Sequence, residues 1–281
     1  MMTPQQIKGK IKNMAAEYMI PAQSILQYYM LERLLERIAH SRYQKNFILK
    51  GGFLISAMTR IATRTTMDLD ATVHALPLST DAISEIFQEI ISIEVYDQIV
   101  FTLDSAETIH EHDTYEGIRL KFSALRPPLK VPVKMDLTTG DIIFPSACKL
   151  EIKPMFSTEP VCVMAYNLET ILSEKLETIL SRGIMNTRPR DFYDIWLLNK
   201  YFQNEINYTI LTTALKKTME HRGTTSLLPQ AKQILQNIAN SEIMNQYWLN
   251  YQQSVNYARI CTYQETIDTI NRFFDKIFII S

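Results

Sequence analysis

The apolar residues of this chain change their period near residue 165, and that change limits the architecture more than any single motif does. Beyond it the spacing is helical almost throughout, which predicts helices near 168–182, 190–202, 208–221, 228–252 and 263–278. Before it, helices alternate with short strand-like segments. Residues 1–45 read as helical with a break at Pro21, and further helices are expected at 53–60 and 80–92. Strands are expected at 47–49, 66–72, 94–103, 117–125 and 130–138. A chain of 281 residues has room for about two domains at ~150 residues each. The expected fold class is therefore α+β: residues 1–160 form a mixed-sheet core with N-terminal helices, and residues 161–281 an all-α domain.

Composition narrows the class. Seven glycines are too few for the repeated turns of a sandwich or propeller, so the Gly51-Gly52 pair stands out. Basic and acidic residues nearly cancel to −1, so any affinity for nucleic acid must come from local patches. Cys148, Cys162 and Cys261 are odd in number and widely spaced, which fits neither a disulfide framework nor a zinc site and suggests a reducing compartment. No signal peptide is apparent, and nowhere do about 18 apolar residues run together. A soluble, cytoplasmic protein without a membrane partner is expected.

The chemistry concentrates at Asp68-Leu69-Asp70. On a strand, residues i and i+2 project from one face, so both carboxylates converge, and a divalent cation such as Mg²⁺ or Mn²⁺ relieves their repulsion. An exposed strand with two solvated aspartates is the plainer alternative. Context favours the site. Asp136 lies on the polar face of another expected strand, where Val131, Val133, Met135 and Leu137 face the core, and it offers a third carboxylate. Lys50-Gly51-Gly52 joins a strand to a helix, and free amides there would suit phosphate oxygens.

Two helices add charged groups. Lys175 sits inside the apolar stripe Leu168, Ile171, Leu172, Ile179, so it either snorkels or reaches into a cleft to hold a triphosphate. Arg190 and Asp194, spaced i,i+4, can pair across one turn, and Asp191 and Asp194 share a face with Leu198.

Taken in order, Lys50-Gly51-Gly52, Arg64-Thr65-Thr66-Met67-Asp68-Leu69-Asp70, Ser173-Glu174-Lys175-Leu176 and Arg188-Pro189-Arg190-Asp191-Phe192-Tyr193-Asp194-Ile195 resemble the four motifs of the AbiEii nucleotidyltransferase toxins. These belong to the DNA polymerase β-like nucleotidyltransferase superfamily and to type IV toxin–antitoxin pairs active in abortive infection. The resemblance runs over about residues 45–200. It implies a nucleotidyltransferase-fold core whose cleft is completed by the helical domain. It also implies that Asp68 and Asp70 hold Mg²⁺ or Mn²⁺ and that Lys175 and Asp194 act with them. Asp136, placed by the strand pattern, is the expected third metal ligand and completes a catalytic set of Asp68, Asp70, Asp136, Lys175 and Asp194. Lys50, Gly51, Gly52, Arg64, Lys175 and Arg190 are then the nucleotide-binding residues. Arg190 stands where the family often has Lys, which keeps the charge and changes its geometry. The implied activity is transfer of NMP from an NTP to RNA, with the tRNA 3′ end as acceptor, and the implied partner is a cognate AbiEi-like antitoxin. A protein or small-molecule acceptor, or a non-catalytic module with a vestigial site, remain alternatives.

Other features carry less. His110-Glu111-His112-Asp113 lacks a second ligand pair, Ser56 lacks a histidine partner, and the aromatic residues of 192–201 and 247–257 fit a core. The acid-free stretch 117–135, with Arg119, Lys121, Arg126, Lys130 and Lys134, and the stretch 182–190, with Arg182, Arg188 and Arg190, are candidate polyanion patches.

Overall fold

A computed structural model describes residues 2–60, 62, 64–111 and 115–280, with only the backbone described at 110, 111, 115 and 116. The His110–Asp113 cluster therefore lies outside the residues whose side chains can be discussed. The chain divides into two compact units, one of residues 1–141 and 148–165, the other of residues 142–147 and 166–281.

The first unit is a seven-stranded mixed sheet with helices. α1 (Pro4–Tyr18) starts at Thr3, whose hydroxyl accepts from the Gln6 amide in a capping box, and Pro21 separates it from α2 (Ala22–His40). β1 (Phe47–Lys50) runs directly into α3 (Gly51–Thr59), and β2 (Leu69–Val73) follows. Then come α4 (Thr80–Ile91), β3 (Val100–Glu111), β4 (Tyr115–Arg126), β5 (Leu129–Thr138), β6 (Cys148–Ile152) and β7 (Val161–Ala165). Strand order is β3-β4-β5-β2-β1-β7-β6. β2 is parallel to β5 and β1 to β7; the other neighbours are antiparallel.

β5 obeys the period-two reading: Val131, Val133, Met135 and Leu137 are buried, and Lys130, Lys134 and Asp136 are not. α2 buries Ile25, Leu31, Leu34 and Ile38 in packing against β5 and β7. Tyr28 stacks on Phe53 of α3 at 4.6 Å, and Phe47, Phe87 and Phe122 form a chain of ring contacts.

The second unit is helical: α5 (Leu168–Arg182), α6 (Pro189–Phe202), α7 (Tyr208–His221), α8 (Ala231–Ala239), α9 (Glu242–Ser254) and α10 (Tyr263–Ile280). α5 packs on α6 and α7, and α10 on α6, α7 and α8. Asn167 caps α5 by accepting from the Thr170 amide, and its Nδ2 donates to the carbonyls of Phe144 and Ser146. That side chain ties residues 142–147 to the helical unit.

Four expectations shift. The 66–72 strand begins only at Leu69; Thr66 to Asp68 precede it, and Met67 is 44% exposed while Leu69 and Ala71 are buried. The strand expected at 94–103 runs from 100 to 111 instead. The helix expected over 228–252 is three pieces, because a 3-10 turn holds Pro229 and Ser241 caps a fresh helix by accepting from the Met244 amide. β6 and β7 have no counterpart among the expected strands, and β7 puts residues 161–165 in the sheet rather than with the helices.

Candidate active site

In the first unit, strand register lines up five charged residues in one row across the sheet. Glu107 of β3 faces Arg119 of β4, Arg119 faces Asp136 of β5, Asp136 faces Asp70 of β2, and Asp70 faces Lys50 of β1. Register partners on neighbouring strands project from the same face, so the parallel β2–β5 pairing brings together two of the three carboxylates chosen from sequence. Asp68 joins them from just before β2. Its Oδ1 accepts from Thr66 Oγ1 at 2.8 Å, and its Oδ2 lies 3.3 Å from Lys134 Nζ of β5.

The glycine pair is what lets this group close on α3. Gly51 has φ +68°, and a Cβ there would stand 2.1 Å from Asp70 Oδ2. A Cβ on Gly52 would stand 2.9 Å from Arg64 Nη2 and 3.0 Å from Thr66 Oγ1. The start of α3 is thus faced by the chain's own Asp70 carboxylate, where the sequence reading expected amides free for phosphate. Arg64, buried, brings a cation to the same helix start.

Lys50, expected to meet phosphate, is paired with an acid of its own chain. Lys50 Nζ is 2.8 Å from Asp141 Oδ2, and Asp141 also accepts from the hydroxyls of Thr72 and Thr138. Burial alone would raise the Asp141 carboxyl, but the Lys50 charge and these three donors hold it down to about 2. Sequence reading missed Asp141. The turn after β5 was the only local signal for it, and Lys50 lies 91 residues away.

Arg119 grips Asp136 with two parallel bonds, Nε to Oδ1 at 2.8 Å and Nη2 to Oδ2 at 2.7 Å, and this raises the arginine's own pKa. Lys121 Nζ donates to both carboxylate oxygens of Glu107 on neighbouring β3, and Arg126 is buried with its Nη2 donating to the Met2 carbonyl. The 117–135 stretch draws its acids from neighbouring strands, so Arg119, Lys121, Arg126 and Lys134 are not a free polyanion patch. Lys130 is exposed.

The donor set suits a hard divalent cation in type. Among the described residues no three His, Cys, Asp or Glu side chains form a ready-made cage. Mg²⁺ does not require one, since it commonly binds through one or two carboxylates, waters and substrate phosphates. Asp68 and Asp70 supply such a pair, while Asp136 shares both its oxygens with Arg119.

In the second unit, Lys175 neither snorkels nor points to open solvent. Its Nζ sits 2.8 Å from Asp191 Oδ1 and 2.8 Å from Asp194 Oδ2, joining α5 to the first turns of α6. Asp194 is fully buried. Burial would lower the Lys175 pKa, yet the two aspartates raise it overall. The Asp194 carboxylate is thus engaged by Lys175, while Arg190, its expected i,i+4 partner, is exposed. Arg182 is pushed down by burial and by the neighbouring Arg188 charge. Phe192, Tyr193 and Trp248 are core residues, as their spacing suggested, and Ser56 is fully buried.

The sequence model of the nucleotidyl transferase AbiEii toxin family, from type IV toxin–antitoxin systems, matches residues 33–269. No curated protein matches. Among solved structures, a provisionally named nucleotidyltransferase from H. pylori is similar at 15% identity and TM-score 0.50, covering 92% of this chain and 98% of that one. JHP933 from Helicobacter pylori is similar at 14% identity and TM-score 0.50, covering 92% and 94%. Both likenesses concern the fold.

Proposed function

This chain belongs to the AbiEii nucleotidyl transferase toxin family, and on that premise we propose that it transfers a nucleoside monophosphate from an NTP to an RNA acceptor, with the tRNA 3′ end as first candidate. The observation that carries the reading is the pairing of Asp70 with Asp136 on parallel neighbouring strands, with Asp68 just before β2 and Gly51 beneath Asp70. In this reading an acceptor hydroxyl attacks the α-phosphorus, the bond to the β-phosphate oxygen breaks, and pyrophosphate leaves. Asp68 and Asp70 would hold Mg²⁺ or Mn²⁺, which when bound neutralises phosphate charge and lowers the pKa of the attacking hydroxyl. Asp136 orients or deprotonates that hydroxyl. Arg64 at the start of α3 adds positive charge for the polyphosphate, and the absence of side chains at Gly51 and Gly52 lets Asp70, Arg64 and Thr66 close on that helix start. Lys175 fixes α6 through Asp191 and Asp194.

The type IV toxin–antitoxin family implies an antitoxin partner, and an AbiEi-like protein fits that role. Among the described residues no helix is long and apolar enough to cross a membrane, and a cytoplasmic site of action agrees with an RNA acceptor.

The test is incubation of the purified chain with each α-labelled NTP and Mg²⁺, with total RNA in one arm and RNA-depleted lysate in another. Label on a tRNA-sized RNA, absent for Asp70→Asn, is the expected result. Label on protein or small molecules alone would refute the RNA acceptor, and no label in either arm would refute the transferase reading. Expression without a partner should slow growth of a bacterial host, and Asp68→Asn should relieve it.

A further inference from the structure

The row Glu107–Arg119–Asp136–Asp70 has one member whose position the transfer reaction does not explain. Arg119 points both donors of its fork at Asp136, so both oxygens of that carboxylate carry a charge-assisted hydrogen bond. A carboxylate so engaged is already neutralised. Any cation approaching it from Asp70, its register partner, must share it with a guanidinium or displace one. Arg119 is the more solvent-exposed member of the pair, its side chain 35% exposed against 17% for Asp136. It is also aligned by register with Glu107, a second acid on the same face. Lys134 stands toward Asp68 in the looser version of the same arrangement, at 3.3 Å.

We propose that Arg119 is a positioning residue that acts as a built-in counter-cation, holding Asp136 and competing with a divalent ion for it. Its consequence is that the carboxylate group binds a divalent ion weakly by itself. Tight binding waits until Arg119 is drawn off by other negative charge, such as the polyphosphate of an incoming nucleotide. Metal and nucleotide occupancy are thereby coupled through one side chain. The inference rests on the reading of Asp68, Asp70 and Asp136 as a metal-binding group.

The experiment measures binding of Mn²⁺ alone, without nucleotide, to the full chain by the electron paramagnetic resonance signal of the free ion. Arg119→Met should bind at least about tenfold more tightly than wild type, the size of effect expected when one charge-assisted pair ceases to compete. Arg119→Gln, which keeps hydrogen bonding and loses the charge, should move the same way and guards against a folding defect in the first variant. Adding Asp136→Asn should erase the gain. Lys121→Met removes the same charge from the same face but from a residue paired to Glu107, and should change affinity little. Unchanged or weaker binding in both Arg119 variants overturns the proposal, as does an equal gain in Lys121→Met. If wild-type binding is lost in Asp70→Asn but unaffected by Arg119, only the competition falls. If neither wild type nor any Arg119 variant binds Mn²⁺, the metal reading falls, and the proposal with it.

Discussion

Asp70 Oδ2 stands 2.1 Å from the place a Cβ would occupy on Gly51, so the second carboxylate of the Asp68-Leu69-Asp70 segment rests on the backbone that opens α3. The contact follows from register: Lys50, the last residue of β1, pairs with Asp70 of β2, and the chain turns into α3 at the next residue. Only a residue without a side chain fits between strand and carboxylate. The left-handed φ of +68° at Gly51 adds a second, independent reason for glycine.

Gly51→Ala tests both reasons, and Gly140→Ala isolates one of them. Gly140 has φ +82° with nothing within 4 Å of its virtual Cβ, so alanine there should cost only backbone strain, about 1 kcal/mol. At Gly51 the same strain is joined by a collision with Asp70. The total should exceed ~2 kcal/mol, and transfer activity should fall with it. Urea midpoints compare the two variants; equal losses would mean that Asp70 does not press on Gly51 in solution.

Asp68→Asn and Asp70→Asn should each lower transfer at least ~10²-fold while leaving the melting temperature within a few degrees, because both side chains lie partly exposed at a strand end. Label incorporation and thermal scans on the same preparations decide it. Activity near wild type in either variant would remove that aspartate from the reaction.

Lys175→Met should unfold easily. The snorkelling and phosphate-binding readings both leave stability nearly level, but the structure pairs this lysine with two acids, one fully buried. Removing it takes the Lys175 counter-charge from a fully buried carboxylate, and breaking a buried pair costs about 3–5 kcal/mol in comparable cases. Adding Asp194→Asn should recover part of the loss. A single variant as stable as wild type would show that Asp194 finds another partner.

Two carboxyls should make stability depend on pH in opposite directions. Asp141 is held at about 2 against an ordinary 3.8. Its contribution of about 2 kcal/mol is therefore present above pH ~4 and lost as pH falls toward 2. Glu32 is buried beneath the Met155 amide, and burial pushes it up to about 7 from 4.5. Its favourable state is the protonated one, so about 3 kcal/mol is present below pH ~4.5 and lost as pH rises through 7. Denaturation at pH 2.5, 5 and 8 should show Asp141→Asn converging with wild type at the acid end. Glu32→Gln should gain on wild type at pH 8. Parallel curves throughout would refute both assignments.

Burial periodicity is a local property, and it alone determined α4, α5, α6, α7, α10 and the inward face of β5, because each of these elements sits against a core on one side. The order of the glycine, carboxylate, lysine and aspartate motifs was likewise legible, and with it the family. Breaks inside a periodic stretch were not: the piece from 228 to 252 keeps helical spacing across Ser241, where the cap rather than the pattern starts a new helix. Short β6 and β7 carry too few residues to reveal a period, and Met67 turns outward because β2 starts after it.

What only the tertiary structure decided is which charge meets which. Arg119 and Asp136, 17 residues apart, meet through strand register; Lys50 and Asp141, 91 apart, meet where the turn after β5 reaches the end of β1; and Lys175 and Asp191, 16 apart, meet through helix packing. Residue types announce that a charge exists. Its partner depends on distances of a few ångströms, over which Coulomb energy and desolvation change steeply, and those distances exist only once the sheet and the helices have formed.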